Sequence, residues 1–229
     1  MFRILLVCTA NICRSPSAAE LLRNELQHLG LDDDVGVDSA GVAAVEGKPA
    51  CELSSSLVNQ LLAHRDAGDP ALESLLAGHV SQLVATSLVT EADLVLALDR
   101  GHRAELARLS PTARPKTFTL RQAASLARVV GAHLTAGEFP VGAPPMPVDA
   151  VPRLRWWVGE LDAARGLPPQ PSQTTEATQD DSASWNPDDV PDPHVMGSEI
   201  HGAAIALIDQ QVQAIAAGIS QVLTFDGAE

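Results

Sequence analysis

The chain has 229 residues, 45% of them hydrophobic, and a formal net charge of −14. That is enough apolar material for one large domain with a packed core. The acidity argues against nucleic acid or an anionic membrane as a principal partner, most of all because residues 166–229 carry ten acids and neither Lys nor Arg. Three cysteines, two of them in one short segment, do not make a disulfide framework and point to a reducing, cytoplasmic setting. No apolar run approaching the ~20 residues of a membrane span is read, and the start lacks the marks of a signal peptide. Two lysines against thirteen arginines suit a GC-rich bacterial genome.

Taken in chain order, Ile4 to Val7 form a continuous apolar run suited to a buried parallel strand. A helix is expected over 18–29, with Leu21, Leu22, Leu26 and Leu29 on one face. A second strand follows over 35–39, then a helix over 53–64 with Leu57, Leu61 and Leu62 turned inward. Residues 94–98 read as a third strand, 100–109 as a helix and 116–118 as a short fourth strand. Strands alternating with helices predict an α/β fold: a four-stranded parallel sheet with helices on both faces and ligands at the strands' carboxyl ends. Residues 126–187 read as an insertion between a domain built from 1–125 and 188–229. The insertion holds a helix over 151–165 carrying Trp156 and Trp157, and a Pro-, Gln-, Thr- and Asp-rich loop over 166–187. At least one of the two tryptophans is expected to pack the insertion onto the body.

The chemistry concentrates where the first strand ends. Cys8 stands at the strand's carboxyl end, Arg14 and Ser15 follow, and Pro16 takes an early helical position where a missing N–H costs nothing. The amides of such a loop and the helix N-terminus hold an anion, and the same field favours a thiolate. Arg14 can grip two oxygens of a tetrahedral anion with its planar fork. Residues Thr9, Ala10, Asn11, Ile12, Cys13, Arg14 and Ser15 are therefore the candidate phosphate-binding loop, with Cys8 as nucleophile. Ser15 is placed to hydrogen-bond the Cys8 sulfur. The seven histidines offer no recognisable metal-ligand spacing, and Cys51 belongs to no motif.

Residues 7–20, Val-Cys-Thr-Ala-Asn-Ile-Cys-Arg-Ser-Pro-Ser-Ala-Ala-Glu, resemble the phosphate loop and first helix of the low-molecular-weight protein tyrosine phosphatases. Further matches fall at Val37-Asp38-Ser39-Ala40-Gly41, Gly47-Lys48-Pro49, residues 92–99 and Asp192-Pro193. The resemblance implies a phosphocysteine mechanism without cofactor or metal. Cys8 would be the nucleophile, Arg14 the phosphate clamp and Asp192 the general acid and base, with Asp189 as the other candidate acid. It further implies that Asn11 holds the loop through Ser39 and His79. Cys13, in the same loop, is placed either to protect Cys8 through a reversible disulfide or to fill a small apolar space. The substrate would be a phosphotyrosine-bearing protein or a small phosphoester, with a cognate tyrosine kinase as partner.

One departure concerns specificity. The positions after Asp192-Pro193 are His194 and Val195, and the chain has no Tyr, so the pocket wall is less aromatic than the resemblance implies. Two other readings compete. An arsenate reductase shares fold and loop, but usually relays oxidation through further cysteines, and only Cys51 lies outside the loop. A silent phosphate-binding module would have no use for Cys8, Arg14 and Asp192 together.

Overall fold

The computed structural model describes residues 1–65, 76–137, 145–166 and 186–225. Four strands, β1 (Phe2–Cys8), β2 (Val35–Gly41), β3 (Leu94–Ala97) and β4 (Thr117–Thr119), lie in the order β2-β1-β3-β4. Every pair is parallel. The central strand, β1, is buried at every position except Arg3, which is why its sequence is an apolar run without alternation.

Two apolar layers of unequal size cover the sheet. Phe2, Ile4, Leu6 and Cys8 face the larger one with Leu94, Leu96 and Phe118. That layer is completed by α1 (Arg14–His28), α2 (Glu52–Arg65), α5 (Leu120–Ala136), α6 (Ala150–Ala163) and α8 (His201–Thr224). Leu5, Val7, Val95 and Ala97 face the smaller layer, where α3 (Thr86–Glu91) and α4 (Arg100–Leu109) supply Val89 and Leu106. The predicted four-stranded parallel sheet with helices on both faces is thus the observed one.

Two elements differ from expectation. The first helix starts at Arg14, four residues earlier than its apolar periodicity suggests, because the loop itself winds into the helix. The expected boundary at 125/126 falls inside α5, whose buried positions Ala123, Ala124, Ala127, Val130 and Leu134 keep helical spacing across it. The following α6 is no appendage. Trp157 is fully buried in the larger layer and Trp156 nearly so. A Cβ on Gly218 of α8 would sit 3.0 Å from the Trp157 ring and 3.1 Å from the Ala127 Cβ, so glycine is what lets the three helices close together. Of the Pro/Gln/Thr-rich stretch, residues 167–185 lie outside the described residues. Among the described residues, Ser198–Thr224 is long and apolar enough to cross a membrane, but half of it is buried within the protein as a core helix.

Candidate active site

Cys8 ends β1 on the larger-layer face, and the chain then turns through residues 9–13 into α1. The turn is fixed by its carbonyls, nearly all of which point outward to a partner. Cys8 O and Thr9 O accept from the Val42 and Ala43 amides at 2.9 Å, and Ile12 O accepts from Cys51 N at 2.6 Å. Asn11 O accepts from His79 Nε2 at 2.7 Å. Carbonyls directed outward turn the intervening amides inward, which is the geometry of an anion-binding nest.

Asn11 is the one non-glycine residue among those described with a left-handed backbone, φ 54°, a conformation asparagine tolerates better than most. Its side chain explains why it stays there. Nδ2 donates to Ser15 Oγ at 3.0 Å and Ser39 Oγ at 2.9 Å, while Oδ1 accepts from Gln82 N at 3.0 Å. The expected trio of Asn11, Ser39 and His79 is therefore brought together, with His79 reaching the backbone of Asn11 and not its amide. Gln82 was not singled out from the sequence, and it carries no motif that would reveal it. Gly41 is equally constrained: an added Cβ would lie 2.5 Å from Thr9 O and 2.9 Å from Asn11 N.

The Cys8 sulfur lies 3.0 Å from Ser15 Oγ and accepts from Asn11 N at 3.3 Å. The guanidinium of Arg14 is almost wholly buried and ties three segments together. Nη1 donates to Asp99 Oδ2 at 3.3 Å and Val190 O at 3.1 Å. Nη2 donates to Thr9 Oγ1 at 3.2 Å and Asp192 Oδ2 at 2.5 Å. Asp192 caps the short α7 (Pro193–Met196), its Oδ1 accepting from His194 N at 3.0 Å. Asp189 is occupied elsewhere, its Oδ1 accepting from Arg100 N at 2.9 Å. Of the two candidate acids, only Asp192 meets Arg14.

His102 and Asp99 complete the floor. His102 Nε2 is 2.8 Å from Thr9 Oγ1, which also accepts from Arg14. His102 Nδ1 lies 3.1 Å from Asp99 Oδ2 without hydrogen-bond alignment. Burial pushes the His102 pKa down to about 4, against the pull of Asp99, and the ring is neutral at ordinary pH. Asp99 stood inside a matching stretch, but nothing in the sequence marked His102 as its neighbour at the site. Arg14, Asp99, Asp189, Asp192, Pro191 and Met196 line an open cleft of about 650 Å³, and none of its lining residues among those described is aromatic.

The two loop cysteines have different surroundings. Cys13 is the residue before α1, yet its side chain makes no cap; its sulfur lies 2.8 Å from Ser54 Oγ of α2. Burial raises the Cys13 thiol to about 12. All three cysteines are free thiols. Cys51 and His201, which carried no motif, come together beside Cys13, with Cys51 Sγ 3.6 Å from His201 Nε2.

A cysteine sulfur at the carboxyl end of a central strand, ringed by a nest and an arginine at a helix start, defines an oxyanion-binding α/β protein. Comparison with known proteins agrees. The family profile for low molecular weight phosphotyrosine protein phosphatase matches residues 3–130. A protein-arginine-phosphatase from Geobacillus stearothermophilus is 38% identical over 121 residues, 53% of this chain and 70% of that protein. The probable low molecular weight protein-tyrosine-phosphatase EpsP from Ralstonia nicotianae is 35% identical over 155 residues, 66% of this chain and 95% of its own. In fold, Wzb from Vibrio vulnificus, solved with benzylphosphonate, superposes with a TM-score of 0.54 at 24% identity, covering 94% of this chain and 97% of that one. The chain belongs to the low molecular weight phosphotyrosine protein phosphatase family. It is a phosphatase by that membership, and the arsenate reductase reading is not favoured.

Proposed function

We propose that this chain hydrolyses phosphotyrosine-type phosphomonoesters on proteins or small molecules, with Cys8, Arg14 and Asp192 as its catalytic residues. The observation that carries the assignment is the single guanidinium of Arg14 reaching both the loop that holds Cys8 and the carboxylate of Asp192. The phosphoryl group enters the nest of residues 9–15, and its equatorial oxygens take the amides and Arg14. To bind it, Arg14 exchanges its contact with Asp192 for the incoming anion, which frees that carboxyl group to serve the leaving oxygen. Cys8 sulfur attacks phosphorus in line, the P–O bond to the leaving group breaks, and Asp192 supplies the proton. Water then attacks the phosphocysteine, Asp192 takes its proton, and the sulfur leaves with Ser15 at 3.0 Å to stabilise it. The nest and Arg14 act on the same equatorial oxygens in both transition states, and this preorganised field is the main catalytic resource.

Such an enzyme consumes the product of a kinase that esterifies tyrosine, and that kinase is the implied partner. The carboxylates of Asp99, Asp189 and Asp192 along the cleft support a second substrate, phosphoarginine, whose guanidinium they would meet. Two of the relatives carry the name protein-arginine-phosphatase.

The test is hydrolysis of para-nitrophenyl phosphate, a phosphotyrosine peptide and a phosphoarginine peptide by wild type and Cys8→Ser, with thiol-dependent arsenate turnover run in parallel. Cys8-dependent release from the phosphotyrosine peptide at a higher kcat/KM than from the phosphoarginine peptide is the expected result. The reverse order would move the substrate to phosphoarginine. Arsenate turnover without phosphate release would overturn the assignment.

A further inference from the structure

We propose that Cys13, Cys51, His194 and His201 form a tetrahedral zinc site that holds the acid loop against the phosphate loop. Among the described residues one group of His, Cys, Asp or Glu side chains converges as metal ligands do, and it is this one: the four ligand atoms all lie within 4.8 Å of one another. A tetrahedral centre with bonds of ~2.0 Å to nitrogen and ~2.3 Å to sulfur has edges of roughly 3.3–3.8 Å. The 3.6 Å between Cys51 Sγ and His201 Nε2 is already such an edge.

The donor set and its surroundings fit a closed structural site. Two thiolates balance the charge of Zn²⁺, so the centre is neutral where Cys13 and His201 are buried. The lone pair of His201 is aimed by its other nitrogen: Nδ1 lies 2.8 Å from Ser198 O and donates to it, which leaves Nε2 unprotonated and facing Cys51. Ser54 Oγ, 2.8 Å from Cys13 Sγ, is placed to donate to the metal-bound sulfur. Outer partners of this kind fix ligand orientation in zinc sites. The rings of His194 and His201 meet edge to face, with centroids 5.3 Å apart. On binding, two sulfur–zinc bonds and two nitrogen–zinc bonds form, and the Cys13 and Cys51 thiol protons pass to solvent.

Position gives the site its purpose. Cys13 directly precedes Arg14, and the Cys51 amide donates to Ile12 O of the phosphate loop. His194 lies two residues beyond Asp192, and His201 opens α8. One ion would therefore tie the short α7 and the acid loop to the start of α1, the start of α2 and the start of α8, which already pack together in the larger layer. The ligand spacing, from 13 to 51 and from 194 to 201, matches no local zinc motif, so only the fold can assemble it.

The inference does not depend on the phosphatase reading, and its test reads metal and not turnover. The whole chain carrying Cys8→Ser, which removes the one thiol outside the proposed site, is stripped with chelator and titrated with Co²⁺. One equivalent per chain should bind with the intense visible bands of tetrahedral cobalt and a thiolate charge-transfer band, both erased by Zn²⁺. Cys51→Ser and His194→Ala should each weaken binding more than ~10-fold; His194 is exposed, so its loss leaves folding intact, as circular dichroism will check. A pale octahedral spectrum, or binding unchanged in both variants, would overturn the site. So would a mass two hydrogens light that maps to a Cys13–Cys51 disulfide, which would make the pair a redox couple instead.

Discussion

The phosphate loop and the acid loop face each other across Arg14, but they are built in different ways. The first is one contiguous segment, residues 8–15, and its bonds are buried: Asn11 alone anchors it to Ser15, Ser39 and Gln82. The second is held from outside. Val190 N donates to Leu98 O, Arg100 holds Asp189, and Asp192 rests on Arg14 with its side chain about a quarter exposed. The Arg14–Asp192 contact keeps the Asp192 side reachable by solvent, so an incoming anion can replace the carboxylate on a guanidinium that stays in place, whereas the asparagine network would leave buried polar groups orphaned if broken. The difference teaches a division of labour. The half that fits the anion is locked by buried bonds, and the half that exchanges its arginine on binding meets it through a partly exposed carboxylate.

Replacing residues on each side separates the two roles. The largest effect belongs to Cys8→Ser: steady-state turnover should fall by on the order of 10⁶, the scale of removing a nucleophile from a cooperating site. Phosphate binding, read by isothermal titration, should survive, because the nest and Arg14 remain. Asp192→Asn keeps the cap on α7 but cannot deliver a proton, and should lower kcat by ~10²–10⁴ with little change in KM. A large rise in KM would mean that the acid loop also shapes the ground state, and the contrast drawn above would fail.

Gly41→Ala tests the rigid half without touching a reacting group. Its Cβ would meet Thr9 O at 2.5 Å, and a shift of the loop by even 1 Å should cost ~10² in kcat/KM. Unlike Asp192→Asn, it should weaken inhibition by inorganic phosphate as well. The smallest effect is on stability. The His102 pKa is about 4 in the folded chain against an ordinary 6.5, so the unfolded state takes up the proton first as pH falls. Stability should therefore be full above about pH 6.5 and decline towards pH 4, by about 2–3 kcal/mol from this one buried group. His102→Gln should flatten that part of the curve in denaturant titrations at stepped pH. An unchanged slope would show that the ring is not held neutral.

Much of this was legible without coordinates, and the reasons are local. The run Ile4 to Val7 suited a strand buried on both faces, and a cysteine at its end followed by Arg14 and Pro16 at a helix start suited an anion. Ser39 and Asp192 could be placed through motif resemblance, because short matching segments carry their neighbours with them. The helix that runs through 126 was missed although Thr119-Leu120-Arg121-Gln122 carries a Thr-x-x-Gln capping pattern; Thr119 Oγ1 caps it by accepting from Gln122 N at 3.1 Å, but the short β4 directly before it hides the start.

By itself, then, the sequence determined the parallel α/β class and the loop from Cys8 to Ser15, since periodicity and contiguous residues specify backbone geometry directly. Tertiary structure alone decided that His102 lies buried against Thr9, that Gln82 N holds the Asn11 side chain, and that Gly218 is the point on α8 where α5 and α6 close. It alone also brought Cys13 and Cys51 beside His194 and His201. These are meetings between residues tens to hundreds of positions apart, and the packing of α2, α7 and α8 around the sheet, not any spacing along the chain, sets their distances.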